Sequence, residues 1–165
     1  MLICGIDPGL TGAWGMIDHN GKYWSCGDMH HDELGIIDSQ KVWYEMAQAR
    51  DGQDILVVVE RVHAMPKQGV SSTFKFGMAF GTALNLAQRF KSRWVMVTPQ
   101  VWKKALKIDS DKKVSLELAR ELFPLAPLSR VKDGGRAESL LIAEYFRRQN
   151  ATKILTNEQN PSSAL

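Results

Sequence analysis

Leu2-Ile3-Cys4-Gly5-Ile6-Asp7-Pro8-Gly9-Leu10-Thr11-Gly12 sets an apolar run, one carboxylate and a glycine-rich turn in succession. A second run, Ile55-Leu56-Val57-Val58-Val59, ends the same way in Glu60. A run with no polar face reads as a central strand covered on both sides. A carboxylate at the end of such a strand is costly to bury unless it is paired, hydrogen-bonded or bound to a cation. One such acid reads equally well as a strand cap or as the partner of a surface lysine. Two of them, with a third acidic group downstream, point to a metal site.

Turn and cap residues place the other elements around these two runs. The first run is followed by the turn at Pro8-Gly9, a strand over about 12–17, a turn at His19-Asn20-Gly21 and a strand over about 22–27, which together make an antiparallel meander. Asp38-Ser39 can cap a helix to about Arg50, with Val42, Trp43, Met46 and Ala47 on one face, and Gly52 ends it before the Ile55 run. After a loop containing Pro66 and Gly69, one of Ser71, Ser72 or Thr73 can cap a long helix to about Phe90. The apolar side of that helix takes in Phe74, Gly77, Met78, Gly81, Leu84 and Leu86 or Ala87, so it must bury against something. Gly77 and Gly81, one turn apart, leave room for the close approach of another element, in the core or in a second subunit.

Trp94 to Val97 reads as a fifth strand, and Thr98-Pro99 opens a short helix through Leu106. A helix over about 112–122 is broken at Pro124 and Pro127, and the last helix runs from near Gly135 to about Arg148. The expected fold class is α/β, a five-stranded mixed sheet of three antiparallel strands and then parallel strands, flanked by helices. One domain spans residues 1–150, followed by a polar tail over 151–165 that is expected to fray. There is no internal repeat.

The 165 residues are 44% hydrophobic and 24% charged, an ordinary globular composition. No apolar stretch approaches a membrane span, and the N-terminus has no cleavable leader pattern, so a cytosolic location is expected. Cys4 and Cys26 fall in two strands and read as free thiols, and no Cys/His spacing suggests zinc. His30 and His31 read as surface residues.

The net charge of +3 conceals an uneven distribution. Residues 1–60 carry three basic residues against ten acids; residues 61–108 carry nine basic residues and no Asp or Glu; residues 109–165 are nearly balanced. A block of pure positive charge suits a polyanion, because lysine or arginine at a phosphate releases condensed counterions. The plainer alternative is a solvated face with its acids supplied from elsewhere.

The third acidic group lies in Lys132-Asp133-Gly134-Gly135-Arg136-Ala137-Glu138-Ser139-Leu140-Leu141-Ile142-Ala143. Glu138 falls in the first turn of the last helix, where a carboxylate also complements the helix dipole. The order is thus Asp on the first strand, Glu on the fourth and an acidic pair beside the last helix. On these residues the chain resembles the RuvC-type Holliday-junction resolvases of the RNase H-like superfamily, over about residues 2–148. The resemblance rests on Gly5-Ile6-Asp7-Pro8-Gly9 with Thr11 and Gly12, Val57-Val58-Val59-Glu60, and the Ser72 to Gly81 helix. Thr98-Pro99 with Trp102-Lys103-Lys104, Lys112, and Ala137 to Ala143 complete it.

The resemblance implies an RNase H-like fold and a Mg²⁺-dependent nuclease, with Mn²⁺ as a substitute. It implies a homodimer that binds branched DNA, chiefly four-way junctions, and nicks two strands symmetrically to leave 5′-phosphate and 3′-hydroxyl ends. The family's carboxylates carry over to Asp7, Glu60 and Glu138. Family members commonly have a further acid one turn before the last; Gly135 stands there in this chain, and Asp133 is assigned in its place. Oxygen ligands without cysteine or histidine suit Mg²⁺ or Mn²⁺. Two ions per site would activate water and stabilise the leaving oxygen.

Lys103 and Lys112 match the family's essential basic residues. Lys104, Lys107, Lys113, Lys67 and Lys75 are candidate phosphate contacts, and His63 stands where the family often has an aromatic wedge for the junction centre. Asp7-Pro8-Gly9-Leu10-Thr11-Gly12 also resembles the first phosphate loop of actin-like ATPases, but one chain this short lacks room for their two domains. A broader branched-DNA or flap endonuclease of the same fold is the nearer alternative.

Overall fold

The computed structural model describes residues 1–9, 11–63, 69–90 and 93–159, the side chains of 151–159 excepted. Strand β1 (Leu2–Asp7) is buried along its whole length, as a run without a polar face requires. It lies at the middle of a five-stranded sheet of order β3-β2-β1-β4-β5. It pairs antiparallel with β2 (Ala13–Asp18) and parallel with β4 (Ile55–Glu60). Strand β3 (Tyr23–Asp28) adds antiparallel to β2, and β5 (Trp94–Val97) adds parallel to β4, so the expected mixed sheet is formed. At the β2–β3 turn, Asp18 Oδ1 accepts from the backbone N–H groups of Asn20 and Lys22 at 2.9 and 2.8 Å. Gly21 takes φ 87° there, a conformation open to glycine without steric cost.

Side chains alternate across the sheet, and the alternation sorts the core into two layers. Leu2, Cys4 and Ile6 join Val57 and Val59 beneath α1 (Ser39–Ala49) and α2 (Val70–Arg89). Ile3 and Val58 face the other way, toward α3 (Pro99–Leu106), α4 (Lys112–Leu122) and α5 (Gly134–Gln159), where Trp102, Leu116, Leu140, Leu141 and Ile142 are buried. By the same period of two, Asp7 and Glu60 face this second layer.

Helix α5 lies directly on β1 and β2 because glycine leaves it room. A Cβ at Gly5 would run into the backbone of Ser139 and Ala143, and one at Gly15 would meet Leu140 Cγ and Ser139 Oγ at 2.8 Å. Helix α1 is capped as expected, with Asp38 Oδ1 accepting from Lys41 N–H at 3.0 Å.

Helix α2 departs from expectation. Its N-cap is Gly69, with no side-chain cap, in place of Ser71, Ser72 or Thr73; Thr73 N–H closes the first turn on the Gly69 carbonyl at 2.9 Å. Leu86 and Ala87 are buried as expected, together with Ala79 and Ala83, whereas Phe74 is 68% exposed. Among the described residues nothing lies within 4 Å of a Cβ built at Gly77 or Gly81. Only the second half of this helix covers the sheet, through Leu86 and three alanines.

Helix α5 also runs past Arg148 to Gln159, so residues 151–159 of the expected frayed tail are helical. No proline intervenes before Pro161, and Asn150 Nδ2 donates to the Phe146 carbonyl at 3.0 Å, in register with the helix. Cys4 is buried and Cys26 half-buried, both as free thiols. No helix among the described residues is long and apolar enough to cross a membrane.

Candidate active site

The β1–β4 ladder pairs Ile6 with Val59, so the next residues, Asp7 and Glu60, stand side by side at the carboxyl ends of two parallel strands. Both are nearly buried, 7% and 8% exposed. Asp7 Oδ1 accepts from Gly9 N–H at 3.1 Å, which ties the carboxylate to the Pro8-Gly9 turn. Glu60 Oε1 accepts from the Trp102 indole N–H at 2.8 Å. The close seating of α5 on Gly5 and Gly15 brings Glu138, 6% exposed, to the same end of the sheet.

Basic and hydroxyl groups from the third and fourth helices face Glu138. Lys103 Nζ lies 2.7 Å from Glu138 Oε1, and Lys112 Nζ lies 3.9 Å from Oε2. The Ser115 hydroxyl donates to Glu138 Oε1 at 3.4 Å. Lys103 Nζ also sits 5.0 Å from the centre of the Trp102 ring, within range of a cation–π attraction. The sequence placed Asp7, Glu60, Glu138, Lys103 and Lys112 in one site, and the structure brings them together. Sequence reasoning missed Ser115, although it follows Lys112 by three residues and so shares its helix face. It gave Trp102 no role of its own.

Crowding of acids perturbs their titration. Burial pushes the Asp7 carboxyl up to about 6, aided by the Glu138 charge and opposed by Gly9 N–H, Lys112 and Lys103. Burial pushes Glu60 up to about 7, aided by the charge of Asp7, opposed by the Trp102 hydrogen bond and raised further by Glu138. The folded values lie above the ordinary 3.8 and 4.5, so the native protein holds more protons than the unfolded chain between those limits. Stability from these groups is fully present below about pH 4 and falls as pH rises to about 7, by at most ~1.4 kcal/mol per unit per group. In chelator, the urea midpoint is therefore expected to fall from pH 5 to pH 8. A midpoint that climbs across that window contradicts the burial of these acids.

Asp133, expected as a fourth ligand, is engaged by Arg130 in this structure. Its oxygens accept from Arg130 N–H at 2.8 Å, Arg130 Nε at 3.0 Å and Arg130 Nη2 at 2.7 Å. Burial opposes its charge, but these Arg130 bonds prevail and hold the carboxyl below its usual value, with Arg136 adding to them. Asp133 closes the short 3₁₀ turn that leads into α5. Nor could position 135 carry the missing acid, because a Cβ there would collide with the Thr11 carbonyl. Arg136 is occupied as well, with a bidentate pair to Asp28 at 2.6 and 2.7 Å.

The donor set fits a hard divalent cation in type and charge: three nearly buried carboxylates with oxygen donors only. Among the described residues, however, no three His, Cys, Asp or Glu side chains already form a cage for an ion. Lys103 and Lys112 neutralise Glu138 instead, so an ion binding here would compete with Lys103. Lys104, Lys107, Lys113 and His63 are exposed. Lys75 is exposed on α2 beside Leu34, Ile36 and Phe74, around a cavity of about 240 Å³ in the layer away from the carboxylates. Lys67 lies outside the described residues.

Sheet order, mixed pairing and the two helical layers define the RuvC/RNase H-like α/β fold. Two solved structures share it over nearly the full chain. RuvC of Thermus thermophilus in complex with a Holliday junction substrate is 18% identical, with TM-score 0.65, covering 92% of this chain and 98% of that one. A second structure of T. thermophilus RuvC is 19% identical, with TM-score 0.63 and the same coverage. No protein-family model matches the chain, and no curated protein matches it in sequence.

Proposed function

We propose that this chain is a structure-selective endonuclease that resolves four-way DNA junctions by hydrolysing phosphodiester bonds. The observation that carries the reading is the convergence of Asp7, Glu60 and Glu138 with Lys103 and Lys112 at one end of the sheet. It is supported by a fold shared almost end to end with a RuvC bound to a Holliday junction substrate. The nine basic residues over 61–108, without a single acid, suit a phosphate backbone.

Asp7, Glu60 and Glu138 would hold divalent magnesium, with manganese as substitute. A cation held there would supply an activated water and neutralise charge on the phosphate. Of the four carboxylates expected around two ions, Asp133 is engaged by Arg130, so a direct role for it would require its release from that pair. Lys103, released from Glu138, and Lys112 would bind the scissile phosphate and stabilise its developing negative charge. Lys104, Lys107 and Lys113 extend the positive surface along the backbone, and Lys67, Lys75 and His63 are assigned to the junction more distantly. The products would be 5′-phosphate and 3′-hydroxyl ends, made by a homodimer cutting two strands symmetrically.

Cleavage of four-way, three-way, flap and linear DNA in Mg²⁺ tests the reading. The four-way junction is expected to be cut at least about tenfold faster than the others, a difference of ~1.4 kcal/mol in barrier. Equal rates on flaps would make the protein a general branched-DNA nuclease, and no cleavage of any substrate would remove the nuclease reading.

A further inference from the structure

We infer that Trp102 is a positioning residue that fixes the carboxylate plane of Glu60, leaving Oε2 as its one oxygen without a partner among the described residues and so setting the cation preference of the site. The inference rests on the reading of Glu60 as a cation ligand.

Trp102 is fully buried, and its indole N–H is spent on Glu60 Oε1 at 2.8 Å. Filling the space would not require that donor, and the protein does not insist on partners for its tryptophans. Trp14 and Trp43 have buried indole nitrogens with no hydrogen-bond partner among the described residues. The Trp102 bond is also rigidly framed. Glu60 pairs with Val97 in the β4–β5 ladder, and Arg61 N–H donates to the Val97 carbonyl at 2.7 Å. Thr98 follows at once as the N-cap of α3, with Pro99 in its first turn, so donor and acceptor hang from the same pair of strands.

A carboxylate with one oxygen held by an N–H donor presents the other for monodentate ligation. Small Mg²⁺ and Mn²⁺ use carboxylates in this way, whereas the larger Ca²⁺ readily takes both oxygens. Groups that orient a metal ligand through a hydrogen bond typically affect affinity by about 10- to 100-fold.

The test is calorimetric titration of the full chain with Mn²⁺ and, separately, Ca²⁺. It compares wild type with Trp102→Phe and with a protein carrying benzothienylalanine at 102, which keeps the indole shape but lacks the N–H. Both are expected to lose about tenfold in Mn²⁺ affinity while Ca²⁺ affinity holds or rises, so the Mn²⁺/Ca²⁺ ratio falls about tenfold. If Trp102→Phe fails to fold, the isosteric variant decides alone. Equal losses for both cations would reveal a packing role only and overturn the inference, as would unchanged affinities. Glu60→Gln separates the two levels. If it leaves Mn²⁺ binding intact, the ligand assignment itself fails; if it weakens binding while the isosteric variant does not, only the role of Trp102 fails.

Discussion

The Asp7→Asn protein is expected to bind a four-way junction within about threefold of wild type and to cleave it at least ~10³-fold more slowly, the scale on which loss of one electrostatic element of a catalytic site is felt. Asp7 is the point where the cluster meets: its titration responds to Glu138, Lys112 and Lys103, and it raises that of Glu60. Asparagine keeps the shape and can still accept from Gly9 N–H through Oδ1, so the turn survives. What disappears is the charge that a cation needs. Junction affinity rests on lysines the substitution does not touch. Stability should move the opposite way, because an acid buried beside two others costs free energy when no cation is present. In chelator at pH 8 the variant is therefore expected to melt above wild type and to gain nothing from Mg²⁺. Single-turnover cleavage, binding without Mg²⁺ and thermal unfolding measure the three effects. A variant that cuts at a comparable rate would sink the assignment of Asp7.

What the sequence made legible follows from where the physics is local. The two strand-end acids were readable because an unbroken apolar run leaves a terminal carboxylate conspicuous, and the parallel register then sets them side by side. The lysines of the third and fourth helices were readable through their motif, and both reach Glu138. Three features were not readable, each for a nonlocal or competing reason. Asp133 stands five residues before Glu138, but Arg130 claims it, and nothing in the order of residues says whether a loop acid faces an arginine or a metal. On α2 the expected Leu86 and Ala87 are buried, but Phe74 is exposed and Ala79 and Ala83 take its place, because the sheet is covered only by the second half of the helix. The glycine at 135 looked like a lost acid; its cause is the Thr11 backbone pressed against it from another part of the chain.

The same pressing contact, at Gly5, underlies the second large effect. Gly5→Ala is expected to destabilise the protein by ~3 kcal/mol, at the upper end of the usual overpacking range. The new Cβ would strike the Ser139 carbonyl and approach Ala143 N at 2.9 Å. Both are helix backbone, which cannot step aside as a flexible side chain would. To relieve the clash α5 must lift from β1, carrying Glu138 away from Asp7, so cation-induced stabilisation and cleavage should fall together with the fold. Gly77→Ala supplies the contrast within the same protein. It adds the same methyl group in a helix where nothing among the described residues lies within 4 Å, and should stabilise by ~1 kcal/mol through helix propensity alone. Urea unfolding of the two variants is thus expected to show shifts of opposite sign. If Gly5→Ala proves as harmless as Gly77→Ala, α5 does not rest on β1 closely enough to join Glu138 to the strand acids, and the site loses the packing that assembles it.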